Sequence, residues 1–596
     1  MYAGTKVNWH EVLMAADTNT TVNESLPLFL CAFSADKGTE EITELTASDF
    51  KAMYGSTADF FKYGQPLIQA HAILNAGGRV LGKRIVADDA TLANLVITAE
   101  VTVTEGEAEE KSVSVKYAAK TIENATRFID VTTAAEALKT DSVFPLFVIC
   151  DNGRGVSGKA VRIAANYDVS KTLKFCLYDI QDIEGTDTIE SARFAAYPDA
   201  ITYISNKKKN MALTKNTTSQ FNAEYCASGM EAFVEKLAEA TGYTVDELYA
   251  VDVLFGKNLK GISLDAWTID DTGLDITAEY GLALQSGSNG AFGAAPFAGE
   301  TPSDAWTAQA VAFFDGSFSD EIYDLDQHKI DFCVDANYPM KVKHAICDLA
   351  DFREDFFYFR DMSLGINSLN DIQELVSDLD WERSPFYGDY ASVYEIIDDY
   401  SKKQIRVTMC YGLAPLLVDH YSNNVAAPIA GEFNNFVITN AVDGTLSFVP
   451  RITPKLDQKT LLDDLKVNYL NYSSDGNLAI QSTYTSQDHW GPLSYSSNVI
   501  VTQMCVKDIR RYTPKIRFML MDGSDFSEYK TLIENNAISN YTKYFKSVEL
   551  VYTADADMTA QKIFNASLYC YYKDFPQGEI FDVYAIEGSA ETNPMA

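Results

Sequence analysis

The chain has 596 residues, a mass of 66.0 kDa and a formal net charge of −36 at pH 7. This length exceeds what one hydrophobic core supports, so we expect about three or four domains. A hydrophobic content of 47% is typical of a globular protein and excludes a disordered chain. The strong acidity excludes nucleic-acid binding through a broad basic face, because a negative surface repels phosphate.

The start of the chain and its cysteines indicate where the protein is made. Residues 1–23 lack the basic and apolar regions of a secretory signal, and no apolar run approaches the roughly 20 residues that span a bilayer. The nine cysteines are scattered singly, a pattern that predicts reduced, buried thiols. We therefore expect synthesis in a cytoplasm and no membrane insertion.

The N-terminal part of the chain predicts an arm followed by a strand and a helix. Residues 1–25 are polar and rich in threonine, and they predict an extended N-terminal arm. The next segment, 26–98, begins with a buried strand over 26–33 and continues with a helix over 59–75. Gly77-Gly78 predicts the end of this helix, because glycine readily adopts the left-handed conformation of a helix stop. A second strand is expected directly afterwards.

The middle of the chain changes from a β pattern to alternating helix and strand. Residues 99–215 alternate apolar with polar side chains and predict a β-rich domain inserted on the outside of the molecule. Over 216–450 helix and strand signals alternate, which predicts a central α/β domain. Thr301-Pro302-Ser303-Asp304 is a typical helix start there, with a hydroxyl cap, and with the proline and an acid in the first turn. A helix over 339–353 leads into a buried strand over 355–359.

The last part of the chain predicts a C-terminal domain and a second arm. Residues 451–576 mix strands with one clear helix, predicted over 524–538, and 577–596 is interpreted as a C-terminal arm and tail. The predicted fold class is therefore a multidomain α+β protein. It has a central α/β domain, a β-rich inserted domain and a mixed α/β C-terminal assembly domain, with extended terminal arms.

Sequence motifs for catalysis or metal binding are missing. The six histidines show no metal-ligand spacing, and the sequence contains neither a phosphate-binding loop nor a nucleophile elbow. The glycine-rich stretch 287–293 has two interpretations, a plain loop, which we favour, and a ligand-cradling loop. The acidic run over 371–399 is interpreted as a solvated face rather than a carboxylate site. We predict no catalytic residue, no metal site and no cofactor.

Three segments, taken in order, resemble the contractile tail sheath family of phages and phage-tail-like particles. The first is the helix, Gly-Gly stop and strand over 60–84, and the second runs from 284 through two helices to a strand and Asp361. The third begins at Asp475-Gly476 and passes through the 524–538 helix to two aromatic-rich strands. One departure is that the family's Trp-Gly-Arg-Thr pattern has only Trp490-Gly491 as its nearest match, in a different setting.

The resemblance implies an assembly rather than an enzyme. It implies a central layer like that of subtilisin, without the catalytic triad, and stacked six-fold rings of this chain around a tail tube. Contraction of this helical polymer would drive the tube through the target envelope, while extended arms add strands to a sheet shared between copies. Further implied partners are baseplate and tail terminator proteins. The implied location is the virion, after synthesis in a bacterial host, with no direct contact to nucleic acid.

Two groups of residues are predicted to carry assembly. The first group is the inter-subunit arms, with an ordinary edge strand as the alternative for the C-terminal one; its residues are Tyr2, Val7, Trp9, Val12, Ile580, Phe581, Val583, Tyr584 and Ile586. The second group is a basic patch predicted to contact the tube or a neighbouring copy, with intramolecular ion pairs as the alternative. The residues of this patch are Lys507, Arg510, Arg511, Lys515 and Arg517.

Two other functions stay open on the sequence alone. A baseplate or capsid protein that exchanges arms would share the arm pattern. An acidic α/β hydrolase-like enzyme would need a nucleophile beside a general base, and the sequence does not place such a pair.

Overall fold

The structure is a computed structural model of the chain. It describes residues 26–54, 59–105, 111–156, 160–167, 176–182, 191–196, 221–245, 262–264, 282–362, 369–378, 381–423, 425–438, 441–442, 445–446, 456–472, 478–520, 526–553 and 565–575. The helices in these ranges are α1 (Ala47–Tyr54), α2 (Phe60–Asn75), α3 (Phe128–Glu136), α4 (Ala227–Thr241), α5 (Asp304–Phe314), α6 (Met340–Arg353), α7 (Leu369–Val376), α8 (Met409–Asn423), α9 (Leu456–Asp464), α10 (Ser496–Ile516) and α11 (Ser527–Asn536).

Seven strands form the central sheet. They are β1 (Leu28–Phe33), β2 (Thr43–Leu45), β3 (Arg79–Arg84), β13 (Phe332–Val334), β14 (Phe357–Asp361), β15 (Tyr387–Tyr390) and β20 (Val467–Asn468). Their order is β2-β3-β1-β13-β14-β15-β20. All neighbours pair parallel except β2 and β3, so the N-terminal strands and the later strands share one sheet.

Both faces of the central sheet are covered, as expected for parallel strands. Successive side chains of β1 point to opposite faces: Phe29, Cys31 and Phe33 join one hydrophobic core, while Leu28 and Leu30 join another. The first core is completed by α1, α2, α8 and α10, and the second by α5 and α6. A smaller core at the β20 end of the sheet is formed by α7 and α9. The central region is thus a three-layer α/β/α structure.

Two further sheets occupy the middle of the sequence. One contains β4 (Asn94–Glu105), β5 (Lys111–Lys120), β6 (Val143–Asp151), β10 (Phe221–Tyr225) and β11 (Ile262–Leu264), in the order β10-β6-β4-β5-β11. The other contains β12 (Leu282–Ala283), β7 (Ala160–Tyr167), β8 (Cys176–Asp182) and β9 (Ser191–Ala196) in that order. Helices α3 and α4 pack on the five-stranded sheet, α4 through Phe233 against Tyr117 and Phe144. Strands β4 and β10 of this sheet lie across or beyond the limits predicted at 98 and 215.

The remaining strands form two-stranded sheets. They are β16 (Val393–Ile397) with β17 (Gln404–Thr408), β18 (Ala441–Val442) with β19 (Thr445–Leu446), β21 (Leu470–Tyr472) with β22 (Leu478–Ile480), and β23 (Phe545–Thr553) with β24 (Asn565–Tyr572). The β23–β24 pair follows α10 and α11 and packs with them. Ile533, Phe545 and Leu550 belong to the same hydrophobic core as Phe29 of the central sheet. The C-terminal part therefore rests directly on the central layer.

Several predicted elements are confirmed, with two differences. Helix α2 ends before Gly77, whose φ of 90° lies in the left-handed region, as predicted. The α5 start is confirmed, but Ser303 is its cap, so Pro302 precedes the helix instead of lying in its first turn. The second difference is a break inside α2 at Gly64, with φ 66° and ψ −165°, where one continuous helix was predicted. The mixed α/β architecture agrees with the predicted α+β class at this level.

Candidate functional site

The carboxyl ends of β1 and β13 mark the place where open α/β sheets usually bind ligands, because the strand order reverses between them. The chain fills this place itself. The indole Nε1 of Trp306 donates to Ser34 Oγ at 2.7 Å, and the Tyr338 hydroxyl donates to the carbonyl of Ala32 at 2.9 Å. Phe297 packs edge-on against Trp306 at 5.0 Å. These buried side chains occupy the crevice that a substrate would need.

A buried ionic cluster lies beside this filled crevice, at the carboxyl ends of β13 and β14. The Lys343 ammonium donates to Asp335 and to Asp361, both at 2.8 Å, and the Tyr358 hydroxyl also donates to Asp335. Burial, and then repulsion from Asp361, raises the pKa of Asp335. Burial alone would lower the pKa of Lys343, but the two carboxylates raise it overall. The cluster is enclosed and ties α6 to two strands.

Helix α10 lies at the opposite side of the central sheet, across the amino-terminal ends of its strands. Gln503 Nε2 donates to the carbonyl of Phe356 at 2.7 Å, just before β14. One turn later, Lys507 donates to the carbonyl of Ile330 at 2.9 Å and pairs with Asp331 at 2.5 Å, just before β13. Both α10 side chains are buried. The helix is therefore fixed to the amino-terminal ends of two strands.

The structure divides the predicted basic patch into two parts. Lys507 is buried in its pair with Asp331, and Arg510 is about one-third exposed and donates to Asp355 at 3.2 Å. These two residues follow the intramolecular alternative. Arg511, Lys515 and Arg517 are exposed near the C-terminal end of α10. Lys515 and Arg517 are the exposed cations at the very end of the helix.

A cleft of about 290 Å³ lies between α10 and the starts of the sheet strands; it is lined by Leu28, Glu44, Arg79, Leu325, Asp326, Gln327, His328, Lys329, Asp355, Lys507, Arg510 and Arg511. Several of its charges are paired within the chain. Arg79 pairs with Glu44 at 2.6 Å, and Lys329 pairs with Asp508 at 3.4 Å. The cleft is crossed by ion pairs within the chain and does not have the arrangement of a single anion-binding site.

Large apolar side chains stand exposed just after α10. Phe518 is 93% exposed and Leu520 is 94% exposed, next to the cations of Lys515 and Arg517. Such residues are costly to leave in water and are common at contact surfaces. These two side chains were not predicted as a contact surface, because only the charges of this segment were considered. The apolar residues that follow the basic run were the available signal.

The β23–β24 hairpin is the second candidate surface. Leu568, Cys570 and Tyr572 of β24 turn inward against the core, while Tyr569 and Tyr571 are exposed on the other face. The two strands pair only with each other among the described residues, so each has an outer edge with unused backbone groups there. Exposed edges of this kind accept additional strands.

The predicted arm residues lie outside the described residues, both those in 1–25 and those in 576–596.

Other predicted sites can be placed. The stretch 287–293 forms a short helical turn, where the amide of Ala291 donates to Asp89 Oδ1 at 2.8 Å. In the acidic run, Asp389 accepts from Arg360 at 2.8 Å and from the Trp381 indole at 3.0 Å. This carboxylate is used inside the fold.

The described ranges contain neither a cluster of metal ligands nor a helix that could span a membrane. No group of three or more histidine, cysteine and acidic side chains in these ranges is arranged to hold a metal ion. Within the same ranges, no helix combines the length and the apolar character needed to cross a membrane. Eight cysteines in the described ranges carry free thiols: Cys31, Cys150, Cys226, Cys333, Cys347, Cys410, Cys505 and Cys570.

Similarity to known proteins was found among solved structures. No family model and no curated protein matches the sequence. The structure is similar to the sheath tail protein of Listeria innocua, with a TM-score of 0.48, 8% identity, and coverage of 92% of this chain and 95% of that chain. For the sheath tail protein of Desulfitobacterium hafniense the values are 0.44, 9%, 95% and 100%. For the contracted sheath of an extracellular contractile injection system they are 0.38, 13%, 47% and 79%.

Proposed function

We propose that this chain is a structural subunit of a contractile tail sheath. It polymerises as stacked hexameric rings around a tail tube and contracts to drive the tube through the target envelope. The observation that carries this proposal is the β23–β24 hairpin, which is mounted on the core and has two outer edges unpaired among the described residues. The sequence supplies two terminal segments, 1–25 and 577–596, as arms that add strands to such edges in other copies.

The order of elements supports the sheath interpretation. The α2–β3 unit and the α6–β14 unit, which carry two of the three family-like segments, lie in one sheet. The third segment supplies α10, α11 and the hairpin, all on the same hydrophobic core. We assign the central three-layer region to the subtilisin-like layer without a triad. The filled crevice beside β1 and β13 supports a structural role, because a substrate would have to displace Trp306 and Tyr338.

The proposed partners follow from the exposed surfaces. The hairpin edges receive the arms of other copies. The exposed cations and apolar side chains at the end of α10 contact an acidic surface of the tail tube or of the next copy. Baseplate and terminator proteins close the two ends of the polymer, and the location is the virion. The inserted region faces outward from the polymer.

Negative-stain electron microscopy of the purified chain separates the proposed function from its alternatives. A sheath protein forms tubes or six-fold rings. Closed shells would indicate a capsid protein. A chain that remains monomeric and turns over ester or glycoside substrates would indicate an enzyme and would contradict the proposal.

A matched pair of proline variants tests the arm. Val583→Pro removes a backbone N–H from the middle of the predicted arm strand, so tube formation should be lost while the monomer stays folded. Thr592→Pro introduces the same residue in the tail beyond that strand and should assemble normally. Normal tubes from the Val583→Pro variant would contradict the role of this arm.

A further inference from the structure

The loop that precedes α10 is held rigidly by a buried lysine. The Lys466 ammonium donates to the carbonyls of Gln487 at 2.6 Å and His489 at 2.7 Å. Lys466 is buried, and its φ of 57° is a left-handed conformation that is costly for a residue with a side chain. Removing a charged group from water costs free energy, and the two hydrogen bonds to the loop offset part of this cost. The loop conformation is therefore strongly specified.

Hydroxyl and amide side chains brace the other half of the loop. Ser494 Oγ, which is buried, donates to the carbonyl of His489 at 3.1 Å and accepts from the Gly491 amide at 3.0 Å. Thr485 Oγ1 donates to the carbonyl of Leu493 at 2.7 Å, and Asn498 Nδ2 donates to that of Pro492 at 2.8 Å. The loop thus has fixed contacts along its length.

This rigid loop presents apolar side chains to solvent. Trp490 is 56% exposed, and Leu493 beside it is also exposed. The inner side of the indole packs edge-on against Tyr484 at 5.5 Å and lies 4.7 Å from the Lys466 ammonium. A tryptophan held in one orientation loses little entropy when it binds, which is a property of anchoring residues at protein interfaces.

The loop lies close to the point where the C-terminal segment begins. Tyr495, at its end, packs against Phe575 at 5.2 Å, the point where the C-terminal segment leaves the described residues. The predicted arm strand begins at Glu579, four residues later, so the connection spans at most about 14 Å. The copy that receives this arm must therefore come close to the loop.

We propose that the loop 487–493 is a contact surface for a second copy of this chain, namely the copy that receives the C-terminal arm, with Trp490 as its anchoring side chain. This inference rests on the proposed function, because it needs the arm to cross to another copy. It adds a side-chain contact to the backbone pairing of the arm. The contact fixes the angle between two copies more closely than the backbone pairing of the arm alone.

The test compares two exposed aromatic residues on tight turns. Trp490→Ala should raise the concentration needed for polymerisation by at least about tenfold, the effect of losing one anchoring side chain. Phe433→Ala removes a side chain that is 97% exposed on another turn and should leave assembly unchanged. Phe433→Ala should melt at the wild-type temperature. Trp490→Ala should melt only slightly lower, since its ring loses the contact with Tyr484 but belongs to no hydrophobic core described for the chain.

Photo-crosslinking identifies the partner directly. Benzoylphenylalanine at position 490 should yield a crosslinked dimer in polymers of the purified chain, and the same probe at position 433 should not. If the wild-type chain forms tubes, two results together would overturn this inference alone. Trp490→Ala would polymerise normally, and the probe at position 490 would give no crosslinked dimer. A wild-type chain that forms no polymer would instead overturn the proposed function on which it rests.

Discussion

At the scale of single residues, the central layer depends on a few buried charges. Lys343 joins Asp335 and Asp361 inside the fold, where all three side chains are almost fully buried. Lys507 does the same for Asp331 between α10 and the sheet. Such pairs add little net stability over apolar packing, but removing one partner is costly. They specify which elements meet.

The first prediction concerns Lys343. Lys343→Met leaves two carboxylates buried without their cation, so the free energy of unfolding should fall by about 3–5 kcal/mol. Lys341→Met changes an exposed lysine of the same helix and should change it by less than about 0.5 kcal/mol. Chemical denaturation monitored by circular dichroism measures both. Equal stability of the two variants would show that the cluster does not hold the fold.

The second prediction is a pH dependence. Burial lowers the pKa of His420 from 6.5 to about 4, so the folded state keeps this imidazole neutral. As the pH falls below 6.5 the unfolded state binds the proton first, and stability should decrease by on the order of 3 kcal/mol before pH 4 is reached. His420→Gln should flatten this part of the curve. His489→Gln, at an exposed position, should leave it as in the wild type.

Residue roles were only partly predictable from the sequence. The basic patch was visible as a run of charges, but its division was not. Lys507 and Arg510 are used internally because acids just before β13 and β14, far away in the sequence, meet them in space. Trp490 was noticed only as part of a poorly matching pattern. Its bracing by Lys466 depends on a contact that no sequence spacing reveals.

At the scale of elements, turn chemistry was the most predictable feature. The stop of α2 at Gly77 and the cap of α5 at Ser303 follow from local preferences. The break at Gly64 was not predicted, although Pro66, two residues later in the same helix, is a local signal for a break. An added Cβ there would lie 2.1 Å from the ring of Phe297, which enters the gap that the break creates.

The third prediction compares two glycines of this element. Gly64→Ala combines a left-handed φ of 66° with the clash against Phe297 and should cost about 2–4 kcal/mol of stability. Gly77→Ala has a left-handed φ of 90° but no atom within 4 Å of the added Cβ, and should cost about 1 kcal/mol. Thermal unfolding measures both. A larger loss from Gly77→Ala would contradict this account of the break.

The fourth prediction concerns the end of α10. Lys515→Glu with Arg517→Glu reverses the exposed charges there and should block polymerisation while the monomer stays folded, because like charges repel an acidic partner. Lys139→Glu with Lys341→Glu makes the same change in net charge at exposed positions outside α10 and the β23–β24 hairpin. Light scattering compares the two double variants. If both assemble equally well, the end of α10 is not a contact surface.

At the scale of the whole molecule, the two ends of the central strands have different uses. The carboxyl ends are covered by Trp306 and Tyr338, and the amino ends contact α10, which is followed by the hairpin. The alternation of helix and strand predicted an α/β centre. It did not predict that strands from 28–84 and 332–468 share one sheet, because parallel pairing over such separations leaves no local signal.

The central claim is that the hairpin edges receive strands from other copies. A helical reconstruction by cryo-electron microscopy of polymers of the purified chain tests it most directly. We expect six-fold rings in which β23 and β24 are flanked by strands formed by residues 1–25 and 577–596 of neighbouring copies. A hairpin that pairs with its own C-terminal segment, or polymers held together without added strands, would contradict the account.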